Sequence, residues 1–128
     1  MAKFWSEEEI YLVAERGHRL LEQGQYEEAS IVFDGLLAVA PANRYCRIAL
    51  ATAYLALSQP GAALQVVEHS LALFPSDADL HRLRAEAMLI LGQTEGARQE
   101  LEWLSRSVSG PSVTRLVYQL ETTRRNLS

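Results

Sequence analysis

One cysteine, Cys46, stands in 128 residues, so no internal disulfide can close and no thiolate metal cluster can assemble. Lysine is as scarce: eleven of the twelve basic residues are Arg, a bias ascribed to genome base composition before any anion site. No basic stripe with interleaved aromatics runs along the chain, which leaves nucleic acid no electrostatic foothold. The longest nearly unbroken apolar run, Ile48 to Leu57, falls far short of the roughly 20 residues that a membrane-spanning helix needs, so it reads as a buried helix and no membrane insertion is expected. The opening stretch, MAKFWSEEE, has one Lys, then three Glu, and no apolar centre for a secretory signal, which predicts a cytosolic protein and makes the Asn126-Leu127-Ser128 glycosylation pattern a chance match.

Catalytic constellations are missing as well. His18, His69 and His81 are scattered, no HExxH or Cys/His spacing occurs, and the seven Gly residues form no phosphate-cradling loop. Glu7, Glu8 and Glu9 read as first-turn residues favoured by a helix dipole rather than as an acid–base pair. Cys46 has no adjacent base to activate it. No enzymatic activity, cofactor or metal is expected, and function has to rest on a binding surface.

What the chain has is a core and a period. At 48% hydrophobic residues it can bury roughly two-thirds of the surface its unfolded form exposes, and a single domain over 1–128 is expected. The net charge of −4 is uneven: residues 1–43 hold three basic and eight acidic groups, the remainder nine and eight. Shifting the sequence against itself by 34 residues aligns Gly17 with Ala51 and Ala85, Leu20 with Tyr54 and Met88, Gly24 with Ser58 and Gly92, and Ala29 with Ala63 and Ala97. Phe33 falls on Val67 and Leu101, Pro41 on Pro75, and Gln25, Gln59 and Gln93 coincide.

Each unit reads as two helices, because apolar residues recur at three- and four-residue steps on both sides of the Gly or Ser break. Small residues at Gly17, Ala51 and Ala85, facing Ala29, Ala63 and Ala97, let two antiparallel helices approach closely. Gly24 and Gly92 end the first helix of a unit, and Pro41 and Pro75 stop the second. Ser6 followed by Glu9 makes a capping box with Trp5 and Ile10 as a hydrophobic staple, so the first helix should begin at about residue 7. Repeats are expected at about 10–43, 44–77 and 78–111. Val113, Leu116, Val117 and Leu120 then share one face of a capping helix at about 112–125.

This pattern resembles the tetratricopeptide repeat, a 34-residue helix-turn-helix unit, over residues 10 to 111. The resemblance implies an all-α solenoid of three repeats plus the capping helix, a right-handed superhelix of seven helices. Val13, Arg47 and His81 depart from the family by standing where it often has Trp or another large residue, and Arg16 and Arg84 stand where it usually has Leu. Those two Arg either snorkel from the packing seam or contact a partner. Trp103 is expected on an outer helix.

In such a stack the first helices of each unit line a concave groove. Steps of three and four place Tyr11, Ala14, His18 and Leu21 there from the first unit, Tyr45, Ile48, Thr52 and Leu55 from the second, and Asp79, Arg82, Glu86 and Leu89 from the third. Leu21, Leu55 and Leu89 fit equally well as packing between neighbouring units. Tyr11 and Tyr45, each with a large apolar face and a polar tip, suit a surface that is sometimes wet and sometimes covered. Some tetratricopeptide domains grip an acidic carboxyl terminus through a clamp of Lys, Arg and Asn on this stripe. Here only Arg82 could serve, and an apolar groove implies an extended or helical peptide held by its side chains.

The stretches QYEEASIVFDGLLAV, residues 25 to 39, and RYCRIALATAY, residues 44 to 54, are similar to the small bacterial type III secretion chaperones that hold translocator or needle subunits. That resemblance implies a non-catalytic, cytoplasmic chaperone keeping a client peptide in its groove. The alternative is a tetratricopeptide scaffold or adaptor subunit of a larger cytosolic assembly. Translocator chaperones dimerise through a longer amino-terminal arm, whereas about six residues precede the first helix here, so a homodimer stays open as an expectation.

Overall fold

The computed structural model describes residues 5–107 together with Arg115, Tyr118, Gln119 and Thr122. Among these residues there are six α-helices and no strand: α1 (Glu7–Glu22), α2 (Tyr26–Val39), α3 (Arg44–Ala56), α4 (Pro60–Leu73), α5 (Ala78–Ile90) and α6 (Thr94–Ser107). The fold is an all-α helical repeat. The capping helix expected at 112–125 lies outside the described residues except for the four named above, each of which is helical.

Local chemistry fixes both ends of these helices. At α1 the Ser6 hydroxyl accepts from the Glu9 amide at 3.1 Å while Glu9 Oε1 accepts from the Ser6 amide at 3.0 Å, the reciprocal pairing of a capping box. Asn43 and Asp77, 34 residues apart, cap α3 and α5 in the same way: their side-chain oxygens accept from the amides of Cys46 at 3.0 Å and Leu80 at 3.1 Å. The turns after α1, α3 and α5 are one structure repeated. Gly24, Ser58 and Gly92 take positive φ (74°, 59° and 77°), each amide reaching back to the carbonyl three residues earlier. The amides of Gln25, Gln59 and Gln93 then reach back five residues, to Leu20, Tyr54 and Met88. These paired bonds satisfy carbonyls that the helix end would otherwise leave open. Pro60 follows at the first position of α4, where a missing N–H costs nothing.

The chain forms two compact units, Met1–Gln59 and Pro60–Ser128. In the first, α2 packs along both α1 and α3, which touch each other only briefly. The core there is Ala29, Phe33, Leu36, Cys46, Ala49, Leu50 and Ala53, all buried. The residue nearest Gly17 is Phe33, not Ala29: a methyl on Gly17 would sit 2.7 Å from Phe33 Cζ. Ala29 is itself fully buried, so the small residue of α2 serves the core without being the nearest partner of Gly17.

In the second unit α5 packs against α4 and α6. Ala85, Met88, Ala97, Leu101 and Leu104 form its core, with Leu64, Ala78, Leu89 and Trp103 against them. A polar network is built into this core. Glu100, only 5% exposed, receives Arg84 Nη1 at 2.5 Å on one oxygen and faces His81 Nδ1 at 2.6 Å with the other. His81 Nε2 lies 2.7 Å from the Pro75 carbonyl, and its ring stacks on Trp103 at a centroid distance of 3.8 Å and 22°. Arg84 therefore satisfies a buried carboxylate of its own chain, and Trp103 is a core contact despite its place on α6. In the first unit Arg47 folds back onto the loop before α3, its Nε–H donating to the Pro41 carbonyl at 2.7 Å.

Two glycines separate packing from propensity. Gly17→Ala should destabilise by about 1 to 3 kcal/mol, because Phe33 is fully buried and cannot yield the space. Gly96→Ala meets only the flexible Met88 thioether and should stay within about 1 kcal/mol of wild type, its crowding offset by helix propensity. Ser58→Gly should stabilise by about 0.5 to 1 kcal/mol, since a left-handed backbone strains any side chain. Urea unfolding of the three variants checks all of this, and equal midpoints for the two alanine variants would contradict the packing assigned to Gly17.

Candidate functional site

On α1, Glu7, Ile10, Tyr11, Ala14, Glu15 and His18 follow three- and four-residue steps and so share one face. The Gln23–Gln25 turn sends α2 back antiparallel, which brings its end and the short loop Ala40, Pro41, Ala42 and Asn43 alongside the first half of α1. Tyr45, in the first turn of α3, closes the far side. These residues line a cleft of about 930 Å³ within the first unit, near the upper end of the range for ligand pockets. Its floor and walls are mostly apolar, and Tyr11 at 63% and Tyr45 at 42% exposure present their rings to it.

Tyr45 is held from two sides. Its ring meets the buried Phe33 edge-on at 5.8 Å, and its hydroxyl lies 2.7 Å from His18 Nδ1. His18 Nε2 in turn lies 2.9 Å from Glu22 Oε1. An ionised carboxylate only accepts, so Nε2–H donates to Glu22 and Nδ1 is left to accept from the Tyr45 hydroxyl. Burial, reinforced by Cys46 and Glu22, pushes the Tyr45 phenol up, so it keeps the proton that this bond requires. Burial also pushes the Cys46 thiol up to about 11, which leaves it protonated and poorly nucleophilic at neutral pH.

Of the stripe expected from the sequence, Tyr11, Ala14, His18 and Tyr45 come together in this cleft. Leu21, Ile48 and Leu55 are half-buried outside its lining, and Thr52 is exposed with its hydroxyl donating to the Ile48 carbonyl at 2.7 Å. In the second unit Glu86 and Leu89 border a separate cavity of about 520 Å³ with Ile90, Arg115, Tyr118, Gln119 and Thr122. Arg82 does not line it. Its guanidinium pairs with Glu86 at 3.1 Å and Asp79 at 3.8 Å, and Glu86 Oε1 also accepts from Arg115 at 3.0 Å. The one candidate for a carboxylate clamp is thus already committed to neighbouring acids. The wall Ala40–Asn43 was absent from the expected stripe. Its signal was the closeness of Pro41 to the next helix start, which forces the loop to stay short.

The tetratricopeptide repeat family matches residues 20–86, more than half of the chain, and the protein belongs to that family. Among solved structures it is similar to the first tetratricopeptide domain of human RPAP3, with a TM-score of 0.83 and 21% identity, covering 91% of this chain and 93% of that one. It is also similar to the Yersinia enterocolitica type III secretion chaperone SycD, solved with a peptide of the translocator YopD. There the TM-score is 0.85 at 17% identity, covering 96% of this chain and 98% of the other. PcrH from Pseudomonas aeruginosa gives a TM-score of 0.85 at 19% identity, covering 97% and 98%. These likenesses are of fold.

The raised Cys46 and Tyr45 values set a pH dependence. The unfolded thiol loses its proton near pH 9 while the folded one keeps it to about 11, so between these values the unfolded state binds fewer protons and stability falls as pH rises. Tyr45 adds to the loss above its ordinary value of 10.0. Urea midpoints for wild type should drop from pH 8 to 11, and Cys46→Ala should show a shallower drop. Parallel slopes for the two proteins would mean that Cys46 is not buried as described.

Proposed function

We propose that this protein is a non-catalytic protein-binding module that shields a peptide segment of a client in the cleft lined by Tyr11 and Tyr45. On this reading it is a cytoplasmic chaperone of the type III secretion kind. The observation that carries the proposal is the cleft itself. Two half-exposed tyrosines face an apolar floor, and aromatic side chains so placed tend to dominate binding energy once covered. The fold it shares with SycD, which has been solved with a translocator peptide, is consistent with a chaperone, as the fold it shares with RPAP3 is with a scaffold. Tyr11, Ala14, His18 and Tyr45 are the binding residues proposed. Ile48, Thr52, Leu21, Leu55, Arg82, Glu86 and Leu89 are not needed for it.

Co-expression with the proteins encoded beside its gene tests the reading. One of them should be soluble only together with this chain and should elute with it in gel filtration. Tyr11→Ala combined with Tyr45→Ala should weaken that complex by about 2 to 4 kcal/mol, while Ile31→Ala, at 67% exposure on α2, should leave it intact. Tyr11→Ala alone should not lower the melting temperature, whereas Tyr45→Ala also loses the Phe33 edge contact. A client that binds the double variant as tightly as wild type, or that is soluble without this chain, would defeat the chaperone reading. A partner that never dissociates would favour a scaffold.

A further inference from the structure

The walls of the cleft are apolar but its charges are one-sided. Among the described residues the lining holds two carboxylates, Glu7 and Glu15, and no Lys or Arg, while its histidine, His18, has Nε2 2.9 Å from a third carboxylate, Glu22. Neither cation of α1 lines the cleft: at about 100° per residue Arg16 lies roughly 160° around the helix from Ala14, and Arg19, roughly 140° from Ala14, follows Glu15 by one turn. Arg47 donates to the Pro41 carbonyl and does not line the cleft. The start of α3 adds the roughly half positive charge of a helix dipole, with Asn43 already on its Cys46 amide, and Arg44, its first residue, stands outside the lining, so the full charges on the described lining itself are negative.

Resting on the reading of this cleft as a peptide site, we infer that its occupant is an extended apolar segment flanked by Lys or Arg, and that the acidic carboxyl-terminal tails gripped by clamp-type tetratricopeptide domains are excluded. Length follows from the helix. From Glu7 to His18 the lined face of α1 runs about 17 Å at 1.5 Å per residue, which matches about five residues of extended chain. Apolar side chains of those residues meet Tyr11, Ile10, Ala14 and Pro41. The cationic flanks meet Glu7 and Glu15, both exposed, so their contribution lies in selectivity and association rate and is screened by salt.

Fluorescence anisotropy with three labelled synthetic peptides tests this. All share one apolar core of about five residues, matched to the extended-chain length of the cleft, and carry Lys pairs, Ser pairs or Glu pairs on both sides. The expected order is Lys tightest, then Ser, then Glu, with about a tenfold ratio between Lys and Glu at about 0.05 M salt that shrinks several-fold at about 0.5 M. Glu7→Gln combined with Glu15→Gln should bring the ratio close to one while leaving the Ser peptide unaffected, and the melting temperature confirms that this variant is folded. Equal binding of all three peptides by wild type, lost in the Tyr11→Ala, Tyr45→Ala variant, would overturn the charge preference and leave the peptide site standing. Preference for the Glu peptide would reverse the inference. Failure of every peptide to bind would remove the peptide site and the charge preference together.

Discussion

Phe33 lies where any side chain on Gly17 would have to go, and that single steric exclusion ties the fold of the first unit to its cleft. With no β-carbon on α1, the ring sinks to full burial between the helices, a gain of about 1.5 to 3 kcal/mol over an exposed ring. Its edge then supports Tyr45 at 5.8 Å. The hydroxyl bond from Tyr45 to His18 is exposed and contributes about 0.5 to 1.5 kcal/mol, the same order as the edge contact, so the two together set where Tyr45 stands. The position of a cleft-lining residue is thereby held in part by a packing contact on the other side of it.

The second unit spends its departures from the family pattern on a different problem. A carboxylate at 5% exposure is costly unless its oxygens are satisfied, and Glu100 has Arg84 on one and His81 on the other. His81 is fixed in turn by the Pro75 carbonyl and the face of Trp103. Such an ion pair is weak evidence for added stability, because desolvation offsets most of its attraction. Its consequence is geometric: it holds α5 and α6 in one register, since Glu100 lies on α6 and both of its partners on α5. Replacing only Arg84 leaves one oxygen of the buried Glu100 unanswered, with His81 still on the other, whereas replacing only Glu100 leaves the partly exposed Arg84 with Glu68 at 3.7 Å.

That dependence on partners separates what the sequence made legible from what it did not. Helix starts and stops could be read because each is decided within a few residues: the Ser6 and Glu9 box, the left-handed positions at Gly24, Ser58 and Gly92, and the prolines past α2 and α4. The period of 34 then located equivalent positions along the chain without any knowledge of contacts. What could not be read were side-chain pairings across helices. Size alone pairs Gly17 with Ala29, whereas the atoms nearest a methyl on Gly17 are those of the larger Phe33. Sequence alone does not separate snorkelling of Arg84 from a contact, and its acceptor lies sixteen residues on, at Glu100. Trp103 sits on α6 as expected, half-buried against the core with the His81 ring stacked on it.

The aligned stripe shows why family membership alone leaves the binding chemistry open. At the positions repeated every 34 residues, Tyr11 and Tyr45 correspond to Asp79, Ala14 and Ile48 to Arg82, and His18 and Thr52 to Glu86. All of these sites are helical and the turns that follow them repeat from unit to unit, although α1 starts three residues earlier in its unit than α3 and α5 do. On α5 the substitutions are mutually satisfying: Asp79, Arg82, Glu86 and Arg115 form a run of pairs that consumes its own charge. On α1 the carboxylates of Glu7 and Glu15 border apolar surface with no Lys or Arg among the described lining residues to answer them. A charge answered within the chain has little left to offer a ligand, whereas one held beside an apolar cleft still selects what enters. The selectivity of this protein on the proposed reading therefore resides in residues 7 to 45, and a tetratricopeptide chain with the same turns but a basic α1 face would take the opposite ligand.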